Sequence, residues 1–92
     1  MSTEDGVKFV AVVVDIREES RAAGKQRWQI ALDRTEFRVG DAGALEAVAP
    51  SGVKLRVLVL EVVEDAGELW HVVEKPLAAG TTVTGEVEAA RV

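Results

Sequence analysis

Side chains able to carry out catalysis are few in this chain. His71 is the single histidine, cysteine and tyrosine are absent, and the one methionine is Met1. A serine triad would have to combine His71 with Ser2, Ser20 or Ser51, and none of these serines lies in a nucleophile-elbow sequence. A transition-metal site needs more imidazole or thiolate ligands than the chain offers. We therefore predict that the protein is not an enzyme, that it uses no cofactor or metal, and that His71 is a packing or surface residue.

Two other patterns have simpler explanations than a chemical site. The glycines of residues 40–43 precede a predicted helix, but the Lys and Ser/Thr of a phosphate loop are missing and Asp41 would repel phosphate. We interpret this segment as a helix cap. The carboxylate pairs at 18–19 and 64–65 flank predicted turns, where we expect solvated side chains without the burial that acid–base catalysis requires.

Basic residues between positions 17 and 38 form the most distinctive cluster. Four acidic residues lie in the same stretch, which leaves a local excess of +2. We expect Arg27 and Arg38 to project from the outer faces of their strands, where pairing of those strands would create a basic ridge beside Trp28. A solvated, salt-bridged face is the simplest interpretation, and binding of an acidic protein or of nucleic acid are the alternatives. The candidate partner-binding residues are Arg17, Arg21, Lys25, Arg27, Arg34 and Arg38.

The elements that must position these residues are mostly strands. Trp28, Ile30 and Leu32 alternate with polar residues, which is typical of a strand with one buried face. Further strands are predicted at 7–19, 53–64, 69–75 and 81–89, and residues 35–39 are predicted to continue the Trp28 strand after a kink near Asp33 or to form a short separate strand. The first is apolar on both faces between Phe9 and Val14, so we expect it to be covered on both sides. In 53–64 the apolar face changes side near residues 58–60, which indicates a bulge, a change of layer or a face covered by a partner.

A single short helix is predicted between Gly40 and Pro50. Asp41 is a suitable N-cap, and Leu45 and Val48 have the i, i+3 spacing of one helical face. The fold class is therefore all-β with one short helix, in a small barrel or sandwich of five or six strands. A helix between the third and fourth strands is also where an OB-fold places its helix, so an OB-like order is one option. We predict a flexible N-terminus at 1–6 and one β domain at 7–92, and the sequence shows no internal repeat.

Charge limits the range of partners. Residues 1–40 carry seven basic and seven acidic side chains, whereas residues 41–92 carry four and nine, so the net charge of −5 lies in the second half. This asymmetry favours a binding or assembly module, as an oligomer or a subunit of a larger complex such as a virion, in which basic and acidic surfaces dock.

Two alternatives to the assembly module are a binder of single-stranded nucleic acid and an acidic mimic of nucleic acid. The acidity of the chain and the inward positions of three of the four aromatic residues disfavour the first. The polar, acidic start predicts no signal peptide, and no apolar run is long enough to cross a membrane. We therefore expect a cytoplasmic or virion-associated protein.

Overall fold

The computed structural model describes residues 6–19, 26–49 and 51–88, which form six strands and, within these ranges, no helix. Each strand pairs in antiparallel fashion with two neighbours, in the closed order β1-β2-β5-β4-β3-β6. This closure confirms the predicted small all-β barrel. The strands are β1 (Gly6–Glu18), β2 (Trp28–Leu32), β3 (Ala42–Val48), β4 (Lys54–Asp65), β5 (Glu68–Val73) and β6 (Thr82–Glu88).

The segment predicted as a helix is the strand β3. Leu45 is fully buried whereas Val48 is 57% exposed, so the two residues of the supposed helical face lie on opposite faces. Leu45 and Ala47 point into the barrel with the period of two that a strand imposes. The segment is too short to be stable as an isolated helix, and as a strand it gains hydrogen bonds to both β4 and β6. The option of an OB-like order depended on this helix and is withdrawn with it.

Three smaller expectations are also settled. The outer face of β1 is open to solvent, with Val10 56% exposed, so the prediction that β1 is covered on both sides is wrong. Residues 35–39 form a loop and not a strand. The irregularity predicted near residues 58–60 is confirmed as a β-bulge between Val59 and Glu61. Of the predicted flexible N-terminus, residues 1–5 lie outside the described ranges and Gly6 begins β1.

The barrel interior is filled by alternate side chains from all six strands and by one side chain from each of two loops. Phe37 enters from the β2–β3 loop and Leu77 from the β5–β6 loop. Phe9 and Phe37 meet edge to face at 5.8 Å between ring centroids. The Phe9 ring lies over Gly85, where a Cβ atom would come within 2.5 Å of the ring carbon Cζ. Glycine is therefore required in the middle of β6 for steric reasons.

An approximate two-fold axis relates β1-β2-β3 to β4-β5-β6. If β1, β2 and β3 are exchanged with β4, β5 and β6, respectively, each strand keeps the same neighbours around the barrel. β2 pairs with β5 symmetrically, so that Ile30 lies opposite its counterpart His71. β3 pairs with β6 in the same way, so that Leu45 lies opposite its counterpart Gly85. The repeat is therefore present in the strand arrangement, although the sequence does not reveal it.

The β2–β3 and β5–β6 loops are counterparts that attach to the barrel at different places. Gly40 and Gly80 both have a positive φ, 92° and 94°, which glycine adopts without strain. The Gly40 amide donates to the carbonyl of Val62 in β4 at 3.0 Å, whereas the Gly80 amide donates to the carbonyl of Val13 in β1 at 2.7 Å. The counterpart of Val62 in β1 is Ile16, because Ile16 pairs with Ile30 as Val62 pairs with His71. The β5–β6 loop therefore bonds β1 at Val13, three residues before Ile16, which is the position that two-fold symmetry would predict.

Candidate functional site

An open groove lies where β1 ends, β2 begins and the β5–β6 loop passes. Its volume is about 550 Å³. Its walls are mainly apolar, and Trp28 is half-buried within them. We call this feature the end groove and define it by its lining residues, Ile16, Arg17, Glu18, Trp28, Pro76, Leu77 and Ala78.

A β-bulge determines which β1 side chains reach the end groove. Phe9, Ala11 and Val13 point into the barrel, and unbroken alternation would next bring Asp15 to the interior. The register shifts between Val13 and Asp15, so Ile16 takes the inward position instead and packs against the core. Without the bulge the groove floor would contain a carboxylate. The bulge therefore makes this end of the barrel apolar.

Arg17 stands at the rim of the end groove and is held by three contacts. Its guanidinium lies 4.0 Å from the centre of the Trp70 ring, in a cation–π arrangement. Its Nε donates to the Gln29 side chain at 2.7 Å, and its Nη2 donates to the Asp65 carboxylate at 2.9 Å. The Arg17 side chain is still 42% exposed. A cation fixed by several partners loses little conformational freedom when a second molecule contacts it.

The structure does not bring the predicted basic residues together. Arg17 and Arg27 lie at the end of β2 that borders the end groove, whereas Arg34 and Arg38 follow the other end of β2. Arg34 pairs with Glu36 at 3.3 Å, whereas Arg38 is bonded through its backbone: its amide donates to the Asp41 side chain and its carbonyl accepts from the Asp41 amide. Arg27 and Arg38 therefore do not form the ridge that pairing of their strands would have created, and a role of the basic residues in partner binding stays a prediction. Arg21 and Lys25 lie outside the described residues.

His71 is a packing residue at the centre of the barrel, fully shielded from solvent. Its Nδ1 donates to the Ile30 carbonyl at 2.7 Å, and its Nε2 accepts from the Thr35 hydroxyl at 2.9 Å. The edge of Phe37 packs against the imidazole ring at 5.1 Å. Burial lowers the pKa of His71, and the hydrogen bond to the Ile30 carbonyl opposes that shift. Both ring nitrogens are occupied and no substrate can reach them, so His71 serves the fold.

Sequence reasoning missed most of the end groove. It assigned Trp28 to the core and left Pro76 and Leu77 in an unremarkable loop. A signal was present, since Leu77 is a large aliphatic residue that follows proline between polar and small residues. An apolar loop residue of this kind often packs onto the barrel. The bulge at residues 13–15, which brings Ile16 to the site, leaves no comparable trace in the sequence.

Comparisons with protein-family models, with curated proteins and with solved structures find no match to this chain. Within the described ranges, no group of three or more His, Asp or Glu side chains is arranged to hold a metal ion. The part of the chain that the structure describes also contains no helix of the length and apolarity needed to cross a bilayer.

Proposed function

We propose that the protein is a non-catalytic binding module that takes a segment of another polypeptide into the end groove. The observation that carries the proposal is the groove itself, an apolar depression of about 550 Å³ with a half-buried tryptophan in its wall. Tryptophan and arginine at one site are typical of the residues that contribute most to protein interfaces. The groove is open along one side, which suits a chain segment better than a small molecule enclosed by its pocket.

The chemistry of the lining residues supports binding over catalysis. The groove has two charged side chains, Arg17 and Glu18, and neither is a nucleophile activated by a neighbouring base. Glu18 accepts a hydrogen bond from the Gln26 side chain, and Arg17 is tied to its three partners. The remaining lining residues present aliphatic or aromatic carbon. Such a site gains affinity mainly by removing apolar surface from water.

Nucleic acid is less well supported as the partner. A single-stranded chain needs exposed aromatic rings and a continuous basic track. Trp70 is buried beneath Arg17, and the cations of Arg17 and Arg34 are each paired with a carboxylate. The acidic mimic has little support from β6 either, because Glu86 lies between Lys8 on one side and Arg56 on the other. Because these opposite charges lie close together, their electrostatic fields largely cancel, and the strand does not present the continuous negative charge of a nucleic acid.

The test is selection of ligands from a random-peptide library displayed on phage, with the full chain immobilised. We expect a selected peptide to bind with micromolar affinity, measured by fluorescence polarisation. Ala78→Glu places a carboxylate in the groove and should weaken binding by at least about tenfold, because a buried charge is costly. Ala79→Glu is the matched control, since Ala79 is exposed beside the groove but does not line it, and binding should be retained.

Two results would reject the proposal: no peptide is enriched over a blank surface, or the selected peptide binds the Ala78→Glu and Ala79→Glu variants equally. Light scattering after size exclusion, at low and high salt, tests whether the partner is a second copy of the chain. An oligomer that Ala78→Glu dissociates would identify the second copy as the occupant. A monomer at both salt concentrations would assign the groove to a different polypeptide.

A further inference from the structure

Among the residues that the structure describes, the main chain of β1 beside the end groove has no backbone partner on one side. The Glu19 amide donates to the Arg27 carbonyl at 2.9 Å, so residue 19 points its backbone groups toward β2. Because backbone groups alternate along an antiparallel strand, residue 17 also faces β2, while Ile16 and Glu18 face the opposite way. Among the described residues, no backbone hydrogen bond reaches Ile16 or Glu18 on that side. We call these two positions the open edge.

The open edge exists because the β5–β6 loop attaches to β1 at Val13, whereas β1 continues to Glu18. The Gly80 amide bonds the carbonyl of Val13, and the Val13 amide bonds the carbonyl of Thr81, so the pairing of β1 with this side ends at Val13. Beyond that point the loop diverges, and the end groove occupies the space between residues 76–78 and the strand. The gap thus combines unpaired main chain with apolar walls.

The groups on the open edge define what can bind there. The Asp15 carboxylate accepts from the Ile16 amide at 2.8 Å, which leaves the Ile16 carbonyl and both the amide and the carbonyl of Glu18. One residue of an added antiparallel strand can exchange two hydrogen bonds with Glu18, and a residue two positions away can donate to Ile16. Three main-chain bonds are therefore available to an added antiparallel strand.

The directions of the side chains beside the open edge also favour an added strand as the ligand. Residues that pair across strands point to the same face of the sheet. Glu18 pairs with Trp28, and both line the groove, as does Ile16. A strand added along the open edge would therefore direct alternate side chains into the groove, over Trp28 and Leu77, and the intervening one outward beside Arg17.

We propose, building on the binding function above, that the partner segment adds to β1 as an extra strand, with main-chain bonds to Ile16 and Glu18 and apolar side chains at alternate positions filling the end groove. This is β-strand addition, in which main-chain bonds give affinity and side-chain pockets give specificity. Symmetric pairing of the open edges of two copies would not satisfy both requirements, since each edge would bring another empty groove and no side chain to fill this one.

The first test uses the selected library peptide and two variants at one position. Glu18→Pro removes the edge amide, and proline is tolerated where a strand amide faces away from its partner. It should weaken binding by about tenfold, the value of one net hydrogen bond at the upper end of its range. Glu18→Ala keeps the amide and loses the same carboxylate, so it is the reference variant, and Glu18→Pro should bind about tenfold more weakly than Glu18→Ala. Equal affinity of both variants would overturn strand addition.

A second measurement does not depend on whether Glu18→Pro folds. Single backbone N-methylation is scanned along the synthetic peptide, and binding should be lost at every second position over the bound segment, where the amide faces the open edge. Amide hydrogen exchange of Glu18 should slow by at least about tenfold in the complex, whereas that of Arg17, already facing β2, should not change.

The failures of the two proposals are distinguishable. A peptide that is sensitive to Ala78→Glu, but shows no alternation on N-methylation and no protection of Glu18, would refute strand addition and leave the groove as a binding site. A selection that enriches no peptide would refute both.

Discussion

The two ends of this barrel are built to the same plan, and one is closed while the other is open. At the closed end the β2–β3 loop bonds Val62 of β4, and Phe37 fills the space beneath the loop. At the open end the counterpart loop bonds Val13 of β1, and Leu77 and Trp28 border a groove. A displacement of three residues in one loop attachment accompanies the difference between an end covered by its loop and an end with an open groove.

The register of the neighbouring strands explains the displacement. β3 pairs with β4 so that Gly43 lies opposite Val59, whereas in the other half Val83, the counterpart of Gly43, lies opposite Ala11. The counterpart of Val59 is Val13, because each is the last paired residue before the bulge in its own strand. β6 is thus shifted by two residues toward the start of β1. The loop before β6 is carried with it, and no described residue pairs with the end of β1 on the side opposite β2.

The interiors of the two ends differ as well. At the closed end His71 bonds Thr35, which lies in the β2–β3 loop and also accepts from the Phe37 amide at 3.0 Å. The counterpart of His71 is Ile30, and the two positions that can correspond to Thr35 in the β5–β6 loop, Lys75 and Pro76, are both exposed. Each loop makes a main-chain hydrogen bond to the barrel, and the closed end adds the side-chain bond between Thr35 and His71. We infer that the closed end carries the larger share of the stability.

The largest effect should come from truncating the two loop side chains. Phe37→Ala should reduce the free energy of unfolding by about 3–5 kcal/mol, because it leaves a cavity beside Phe9 and His71. Leu77→Ala should cost about 2 kcal/mol, at the low end for a buried leucine, since its cavity opens into the groove. Urea denaturation of both variants measures the difference. Equal costs would show that the two ends contribute alike.

A smaller effect, specific to the closed end, should appear in the pH dependence of stability. Burial lowers the pKa of His71 in the folded state, so below a pH of about 6.5 the unfolded chain binds a proton that the folded chain does not. The contribution of the neutral histidine is complete above that pH and is lost as the pH falls. We expect the free energy of unfolding to fall between pH 7 and pH 5.5, by at most about 1 kcal/mol, which is the loss for a folded-state histidine that stays neutral throughout.

The control for this pH dependence is His71→Gln, which removes the only imidazole in the chain. Carboxylates that titrate in the same interval remain in both proteins and cancel in the comparison. The unfolding free energy of His71→Gln should therefore change less with pH than that of the parent. The same slope in both proteins would mean that His71 does not remain neutral in the barrel.

The smallest effect concerns Arg17 at the rim of the open end. Arg17→Met should reduce the free energy of unfolding by about 1 kcal/mol, through loss of the cation–π contact with Trp70 and of a half-exposed ion pair. Arg38→Met is the matched control, because Arg38 is exposed on the closed-end loop, and it should change stability by less than about 0.5 kcal/mol. Thermal unfolding of both variants distinguishes them, and a larger cost for Arg38→Met would refute the assignment.

Alternation of apolar and polar residues predicted the strands that have one buried face. Ile30 and Leu32 in β2 point inward as expected, and so do Val83 and Val87 in β6. The hairpin turn at residues 65–67 was also predicted, and Ala66 and Gly67 both have the positive φ that a tight turn of this hand requires. These features depend on neighbours in the chain, which is why a single sequence reveals them.

The prediction failed where a segment was compatible with two local structures. The alanine- and glycine-rich segment 41–49 fits a short helix and a strand almost equally, and only its hydrogen bonds to β4 and β6 favour the strand. The outer face of β1 was predicted to be covered because it is apolar, but closure of the barrel buries one face of a strand and does not cover the other.

The sequence by itself determined that this chain forms a small all-β fold, because the period of two and the β-branched residues are local properties. It also determined the absence of cysteine chemistry and the unequal charge of the two halves. Only the tertiary structure decided the strand order, the two-fold plan and the end groove. These features depend on register between strands that are far apart in sequence, and a shift of two residues in one pairing separates the closed end from the open one.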